Sequence, residues 1–375
     1  MISKEFVYAA IEGRKLEHYP VHSSYTFLSN ADHWNALTGK TAADFYRWTL
    51  SDTAEHEKVY KVWMEKLPYD TFIPYQLPSY EVRETIEVVE KDNLILMHDK
   101  KEDTYKRMSG NIHDSGSNGS AVGTQRVFSI SDVKETVKIE TTDKMIENGC
   151  FDAVRAGVNT AGKDKFLISG GIVNTFYECS AYLGFQNLFP MLYDEPELVH
   201  YLSERILESN IERIRAFAKI GGDAIYIDDA TATCDMISLK QYEEFSLPYL
   251  TRAVTEIQRL GKIAVLIYFG GIQDRISQIA STGAKVLQME ASMKNFTNDY
   301  DYIAERLDGK MCLMGNLNPY EDLEITNDEE LHERIRKQVE SGRKYGKYIS
   351  CTGSPITPYT SVERIKRYID MAHML

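Results

Sequence analysis

A regular alternation of short apolar runs with longer amphipathic stretches occupies the chain from about Lys165 onward. Because the apolar runs mostly lack polar alternation, they are typical of strands buried on both faces of a sheet. They are KFLISGGIV, DAIYIDDA, KIAVLIYFGG, AKVLQME, MCLMGNL and YISCTGS. The stretches between them, such as PELVHYLSERILESNIERIRAFAKIGG, repeat apolar residues at helical spacing. Strand, helix and strand at this pitch indicate parallel βα units.

These strands, with an earlier candidate at YPVHSSY, favour a closed (β/α)8 TIM-type barrel over an open sheet. We expect one α/β domain over residues 1–375, with an N-terminal extension before the barrel. Residues 70–144 differ and predict a β-hairpin insertion near one mouth of the barrel. Its two antiparallel strands are expected in DNLILMHDKKEDTYKRMSG and SAVGTQRVFSIS, joined by the loop GNIHDSGSNGS.

Charge and cysteine usage restrict the functional class. The net charge of −13 argues against a nucleic-acid partner, because a phosphate backbone needs clustered positive charge. No run approaches the ~20 apolar residues of a membrane span, and the first residues do not resemble a signal peptide. The 5 cysteines are widely spaced and form no CxxC pair. We therefore expect a cytoplasmic protein with reduced thiols, and the sequence leaves homodimerisation open.

Reactive groups of a barrel project from the carboxyl ends of its strands and the loops that follow. The predicted catalytic residues are Asp228, Asp229 and Tyr268, and the predicted substrate-binding residues are His22, Glu178, Glu290, Asn316 and Ser354. Adjacent residues of a strand point to opposite faces, so one Asp of the pair faces the pocket and the other caps a loop. The sequence does not decide which. Each of the remaining residues also has a structural interpretation, in packing, ion pairing or a turn.

The order of motifs resembles the uroporphyrinogen decarboxylase superfamily, which includes corrinoid-dependent methyltransferases. The resemblance rests on GGDAIYIDDATATCDMISLKQYEEFSLPYL, GKIAVLIYFGG, MGNLNP and TGSPITPYTSVERI, and it covers roughly residues 165–375. The earlier GRKLEHYPV is similar to the first-strand motif. The resemblance implies a barrel enzyme with strand-end acidic residues in its site.

Two departures from the family pattern narrow the activity. The Arg-rich N-terminal loop with which true uroporphyrinogen decarboxylases grip their carboxylated tetrapyrrole has no counterpart here. In the thiol-methylating branch, zinc is held by a His-x-Cys and a later Cys, and the matching positions are Ile267, Phe269 and Ser354. These side chains do not provide the usual zinc ligands, so the resemblance leaves zinc open.

The resemblance therefore implies a methyltransferase that moves a methyl group from a small methylated, for example methoxylated, substrate to the cobalt of a separate corrinoid protein. Cobalamin arrives on that partner, since the chain lacks a corrinoid-binding Asp-x-His-x-x-Gly motif. A carboxy-lyase acting on a smaller carboxylated substrate is the alternative, and a cationic clamp beside the Asp would favour it. A non-catalytic barrel, which would serve as a binding or scaffold protein, is the third hypothesis.

Overall fold

A curled sheet of parallel strands forms the centre of the molecule. The structure is a computed structural model that describes residues 3–109, 125–293 and 295–375. The strands in it are β1 (Thr71–Phe72), β2 (Ile86–Lys91), β3 (Leu94–Asp99), β4 (Thr104–Met108), β5 (Phe166–Val173), β6 (Ala224–Asp228), β7 (Ile263–Tyr268), β8 (Val286–Met289), β9 (Cys312–Met314) and β10 (Tyr348–Ile349). Seven of them form one sheet in the order β1-β5-β6-β7-β8-β9-β10, and every neighbouring pair is parallel. The α/β fold with a parallel, curled sheet is confirmed, and the sheet is consistent with a TIM-type fold.

The segment Pro20–His22 lies against residues at both edges of this sheet. The His22 N–H donates to Ser350 O over 2.8 Å, and the Ser350 N–H donates to Pro20 O over 2.9 Å, next to β10. On the other side, the Asp70 N–H donates to Val21 O over 3.0 Å, immediately before β1. The predicted early strand in YPVHSSY is therefore placed where the eighth strand of a barrel would lie.

Helices alternate with the strands from β5 onward, and other helices precede β1 and β5. They are α1 (Ser3–Glu12), α2 (Thr26–Asp32), α3 (Trp34–Thr38), α4 (Ala42–Trp48), α5 (Thr53–Lys66), α6 (Tyr80–Thr85), α7 (Ile130–Thr136), α8 (Thr142–Glu147), α9 (Asp152–Ala161), α10 (Thr175–Leu183), α11 (Phe185–Asp194), α12 (Pro196–Ile220), α13 (Leu239–Phe245), α14 (Leu247–Arg259), α15 (Ile276–Ser281), α16 (Tyr300–Leu307), a π-helical segment Pro319–Glu324, α17 (Asp328–Tyr345) and α18 (Val362–Met374). In the described ranges, no helix combines the length and apolar character required to cross a membrane.

Local signals in the sequence set the ends of these helices. The long α12 begins at Pro196, whose fixed φ suits the first helical position, and stops before Gly221. A capping box of Asn327 and Glu330 starts α17, and Gly346 in the left-handed conformation ends it.

Successive residues of the strands pack alternately into two buried clusters. Ala224 and Tyr226 of β6 belong to the inner cluster, whereas Ile225 and Ile227 belong to the cluster between sheet and helices. The helix α1 closes the amino ends of the strands, because it contributes to the inner cluster and Tyr8 donates to Asp223 over 3.0 Å, just before β6. This leaves the carboxyl ends for a functional site.

The segment 70–144 differs from the predicted hairpin insertion, and its first residues, Thr71–Phe72, form β1 of the parallel sheet. β2, β3 and β4 form a separate antiparallel sheet, and the β2–β3 turn uses Asp92 and Asn93 at positive φ. DNLILMHDKKEDTYKRMSG thus holds the whole β3–β4 hairpin. The second predicted strand, SAVGTQRVFSIS, is not a strand where it is described, since Ser129 caps α7. The loop GNIHDSGSNGS lies outside the described residues.

Candidate active site

A cavity of about 450 Å³ opens at the carboxyl ends of β5 and β6. Its volume is in the range of pockets for small molecules. The residues that line it are Tyr25, Phe27, Leu28, Gln76, Gly171, Ile172, Val173, Tyr177, Glu178, Ser180, Ala181, Asn210, Arg213, Tyr226 and Asp228. Of the predicted site residues, Asp228 and Glu178 are on this wall. Aromatic rings and a small number of polar groups make up most of the rest.

Asp228 is held in the cavity wall by two donors. The Tyr25 hydroxyl donates to its Oδ2 over 2.5 Å, and the Ala230 N–H donates to its Oδ1 over 2.9 Å. The side chain is nearly buried, and burial is the main cause that raises the pKa of Asp228 to about 6. The negative charge of Asp229 adds to this rise, while the two hydrogen bonds oppose it. Asp228 can therefore carry a proton close to neutral pH.

Asp229 points away from the cavity and joins neighbouring elements. It accepts from Asn174 Nδ2 over 2.9 Å and from the Ser246 hydroxyl over 3.0 Å, and its side chain is fully buried. Burial raises the pKa of Asp229 as well. Since Asn174 follows β5 and Ser246 separates α13 from α14, Asp229 ties three segments together. The structure thus places Asp228, and not Asp229, against the cavity.

Tyr25 is the partner of Asp228 that the sequence reasoning missed. Its backbone lies at φ 44° and ψ 54°, the left-handed region that a bulky residue seldom adopts. Its ring centroid lies 5.4 Å from that of Phe27, 5.7 Å from that of Tyr226 and 5.3 Å from that of Phe269. The available signal was its position as the last residue of YPVHSSY, at the carboxyl end of a candidate strand.

Tyr268, which the sequence predicts to be catalytic, lies outside the lining of this cavity. Its side chain is fully buried on the helix-facing side of β7, and its hydroxyl lies 2.8 Å from that of Tyr242. The side-chain alternation of the strand explains this position, because Ile267 and Phe269 point inward on either side.

His22 is buried inside the sheet and does not line the cavity. Its Nδ1 lies 2.5 Å from the Thr71 hydroxyl, and burial lowers the pKa of His22 to about 3. The ring is therefore neutral at physiological pH. Glu178, by contrast, lies on the cavity wall, where its Oε2 accepts from Asn210 Nδ2 over 3.3 Å. Burial raises the pKa of Glu178, and the positive charge of Arg213 opposes the rise.

The other three predicted residues form a separate polar group around Glu290. The Ser354 hydroxyl donates to Glu290 Oε1 over 3.0 Å, and Asn316 Nδ2 donates to the Glu290 backbone oxygen over 3.0 Å. Burial raises the pKa of the Glu290 carboxyl. None of the three lines the cavity beside Asp228. The structure therefore divides the predicted site between two sectors of the sheet.

The positions that correspond to the zinc ligands of the thiol-methylating branch are filled differently here. Ile267 is buried in the inner cluster, Phe269 packs on Tyr25, and Ser354 donates to Glu290. Within residues 3–109, 125–293 and 295–375, no group of three or more His, Cys, Asp or Glu side chains could hold a metal ion. The donor set does not fit that zinc site.

Gly171 of β5 lets the cavity wall approach the strand backbone closely. The register between β5 and β6 shifts between Ile168 and Gly171, as at a β-bulge. A Cβ added at Gly171 would lie 2.2 Å from Cδ2 of Tyr226, so the ring lies directly on the strand backbone. The Gly-Gly pair in LISGGIV was a signal for such a close approach.

Arg213 of α12 is a further cavity residue that sequence reasoning missed. It is exposed and lines the same cavity as Asp228. Among the residues that the structure describes, none forms a hydrogen bond or ion pair with its guanidinium. From the sequence it is one of several charged residues on an amphipathic helix, so nothing but the fold separates it from its neighbours.

Comparison with known proteins agrees with this geometry. The model of the uroporphyrinogen decarboxylase (URO-D) family matches residues 107–375. Uroporphyrinogen decarboxylase of Desulfotalea psychrophila is 27% identical over 211 residues, 56% of each chain, and that of Xanthomonas campestris pv. campestris is 31% identical over 132 residues, 34% of this chain and 35% of the relative. The chain thus spans between about a third and little more than half the length of the curated relatives it matches.

A solved structure shares the fold over nearly the whole chain. A methyltransferase from Methanosarcina mazei superposes with a TM-score of 0.69 at 15% identity, covering 99% of this chain and 98% of that one. The family match, which includes the segments of βα units quoted above, covers well over half of the chain. The chain belongs to the uroporphyrinogen decarboxylase (URO-D) family.

Proposed function

We propose that this protein is a methyltransferase that takes a methyl group from a small methylated substrate and passes it to the cobalt of a separate corrinoid protein. The observation that carries the proposal is the Tyr25–Asp228 pair in the wall of an aromatic cavity. The likeness to the Methanosarcina mazei methyltransferase agrees with the fold that this activity would use. In this proposal the segment Pro20–His22 completes a closed (β/α)8 barrel, and the protein works in the reducing cytoplasm.

Methyl transfer from oxygen or nitrogen needs a leaving group that is stabilised as the bond breaks. The electron pair of the broken carbon–heteroatom bond stays on the heteroatom, which takes the proton of Asp228. The corrinoid partner would hold the cobalt, whose chemistry would be to act as the nucleophile that accepts the methyl group. A pKa of about 6 lets Asp228 give up this proton near neutral pH, and Tyr25 then stabilises the carboxylate that remains.

The chain's own residues would also bind and orient the substrate. The rings of Tyr25, Phe27 and Tyr226 give apolar surface beside Asp228, which would exclude water from the reacting atoms. No step passes through zinc, since Ile267 and Phe269 offer no ligand.

The test is a spectral assay of a reduced corrinoid protein mixed with this enzyme and methoxylated or methylated amine substrates. We expect methylation of the corrinoid by the wild type. Because loss of a positioned acid typically costs a factor of about 10² to 10⁴, D228N should lose most of the rate. Y226F, which keeps both donors to Asp228, is the matched control and should retain turnover. Equal rates for D228N and the wild type would refute the role of Asp228.

A carboxy-lyase is the second candidate, and Arg213 is the observation that favours it. A cation in the same cavity as Asp228 could hold the carboxylate of a substrate. Release of carbon dioxide from small aromatic acids, measured without any corrinoid, separates this candidate from methyl transfer. We place it second because a single unpaired cation suits the binding of an acid group as well as its removal.

A further inference from the structure

We propose that the cavity takes a small substrate bearing one acid group, and that Arg213 binds that group while the methyl-bearing end lies at Asp228. This inference deepens the proposed function and rests on it for the identity of the reaction. It names the chemical class of the substrate as a compact methylated acid.

Arg213 lies where the main cavity adjoins a smaller one. A side cavity of about 210 Å³ is lined by Leu77, Met145, Phe151, Phe217, Glu140 and Cys150, and it shares Arg213 and Gln76 with the main cavity. Both shared side chains are exposed, and no described residue forms a hydrogen bond with either. A guanidinium and a carboxamide thus present free donors at one place on the wall.

The other arginines of α12 are paired, which makes Arg213 distinctive. Arg205 forms an ion pair with Glu208, and Arg215 binds both Glu212 and Glu256, the latter over 2.7 Å. Such ion pairs are the usual state of an arginine on a helix surface with acidic neighbours. Arg213 lines the cavity instead.

Two acidic side chains face Arg213, and each has another hydrogen-bond partner. Glu178 accepts from Asn210, and burial raises its pKa, which favours the neutral acid. Glu140 of the side cavity is paired with Lys144 over 3.3 Å and accepts from Asn148 Nδ2. Neither forms an ion pair with Arg213, so its charge is available to an incoming carboxylate, which a guanidinium can bind through two parallel hydrogen bonds.

The size and charge of the site limit the ligand. A third cavity of about 310 Å³ adjoins the first two through Gln76, and Arg213 is the one basic residue among the described residues that line the three. One cation matches one acid group. A tetrapyrrole with eight carboxylates would leave most of its charges unmatched, at a large desolvation cost. The aromatic wall of Tyr25, Phe27 and Tyr226 favours a flat ring between the two polar ends.

The experiment compares the binding of 4-methoxybenzoate with that of its neutral analogue 4-methoxybenzyl alcohol, by isothermal titration calorimetry at low salt. We expect the wild type to bind the acid at least about tenfold more tightly, as a charge-assisted pair implies. R213Q should lose this preference, and R213K should keep part of it. R215Q is the matched control on the same helix and should bind like the wild type.

The inference is overturned if the wild type shows no preference for the acid, binds neither probe at millimolar concentration, or keeps its preference in R213Q. Thermal unfolding of R213Q reports whether the variant is folded, and R213K serves if it is not. Failure of the reaction is a different result. Tight, Arg213-dependent binding without corrinoid methylation would refute the methyltransferase and leave the acid site intact. Equal methyl transfer from both probes would refute the acid site and leave the methyltransferase proposal intact.

Discussion

Removal of the Tyr25 hydroxyl tests the centre of the cavity without any knowledge of the substrate. In Y25F, Asp228 keeps its burial and its bond from the Ala230 N–H but loses the donor at 2.5 Å. The present balance of these effects raises the pKa of Asp228 from 3.8 to about 6. That rise of roughly 2 units means that the folded protein favours the protonated acid over the carboxylate by about 3 kcal/mol more than water does.

A hydrogen bond to a charged group contributes about 1.5 to 3 kcal/mol, which is roughly one to two pKa units. Loss of the Tyr25 donor should therefore raise the pKa of Asp228 further, to about 7 to 8. The assay is a pH titration of the side-chain carboxyl carbon of Asp228 by ¹³C NMR, with D228N to assign the resonance. Y226F is the control, because its hydroxyl makes no hydrogen bond to Asp228 and its loss should move the pKa less. A pKa in Y25F that equals or falls below the wild-type value would refute the reasoning.

Three further predictions concern the same sheet. Between pH 3.8 and about 6, Asp228 is protonated in the folded protein and ionised in the unfolded chain. The free energy of unfolding therefore falls as the pH rises through this window. In urea unfolding, the free energy of unfolding of D228N minus that of the wild type should rise by roughly 2 kcal/mol from pH 4 to pH 7. A constant difference would contradict the raised pKa of Asp228. G171A should destabilise the fold by about 1 to 3 kcal/mol and narrow the cavity, because the new Cβ would lie 2.2 Å from the Tyr226 ring. Unchanged stability and ligand binding would count against this packing. Y268F should cost about 1 kcal/mol in thermal unfolding through the lost bond to Tyr242, with little effect on turnover. If Y268F abolished turnover at that small cost in stability, Tyr268 would have a role in the reaction.

Six of the seven parallel strands, β5 to β10, could be predicted because their apolar runs are unmistakable. The strand β1 was missed because it has only two residues. Strand-end logic brought Asp228 and Glu178 to the cavity. The same logic treated every strand end alike. It did not separate the β5–β6 sector from the sector of Glu290, since that division depends on which inward side chains fill the centre. Tyr25 and Arg213 were missed for a related reason. Tyr25 lies in a left-handed turn and Arg213 lies on a helix, and only the fold brings them to the same cavity as Asp228 of β6.

The misplaced hairpin has a local cause. The run SAVGTQRVFSIS has strand-like composition, but the Ser129 cap directs its end into α7. The Asp92-Asn93 turn, meanwhile, lets a shorter neighbouring segment pair with β3. Turn and cap chemistry decided the pairing, and average hydrophobicity did not.

The contact between Phe269 and Tyr25 makes these two positions depend on each other. Phe269 occupies a position that the resemblance matches to a zinc ligand of the thiol-methylating branch, whereas Tyr25 donates to Asp228. The substitution F269C would remove the surface that supports the Tyr25 ring, and I267H would place a polar ring among the apolar residues of the inner cluster. A thiolate at position 269 and a supported Tyr25–Asp228 pair are therefore alternatives, as expected for residues in direct contact.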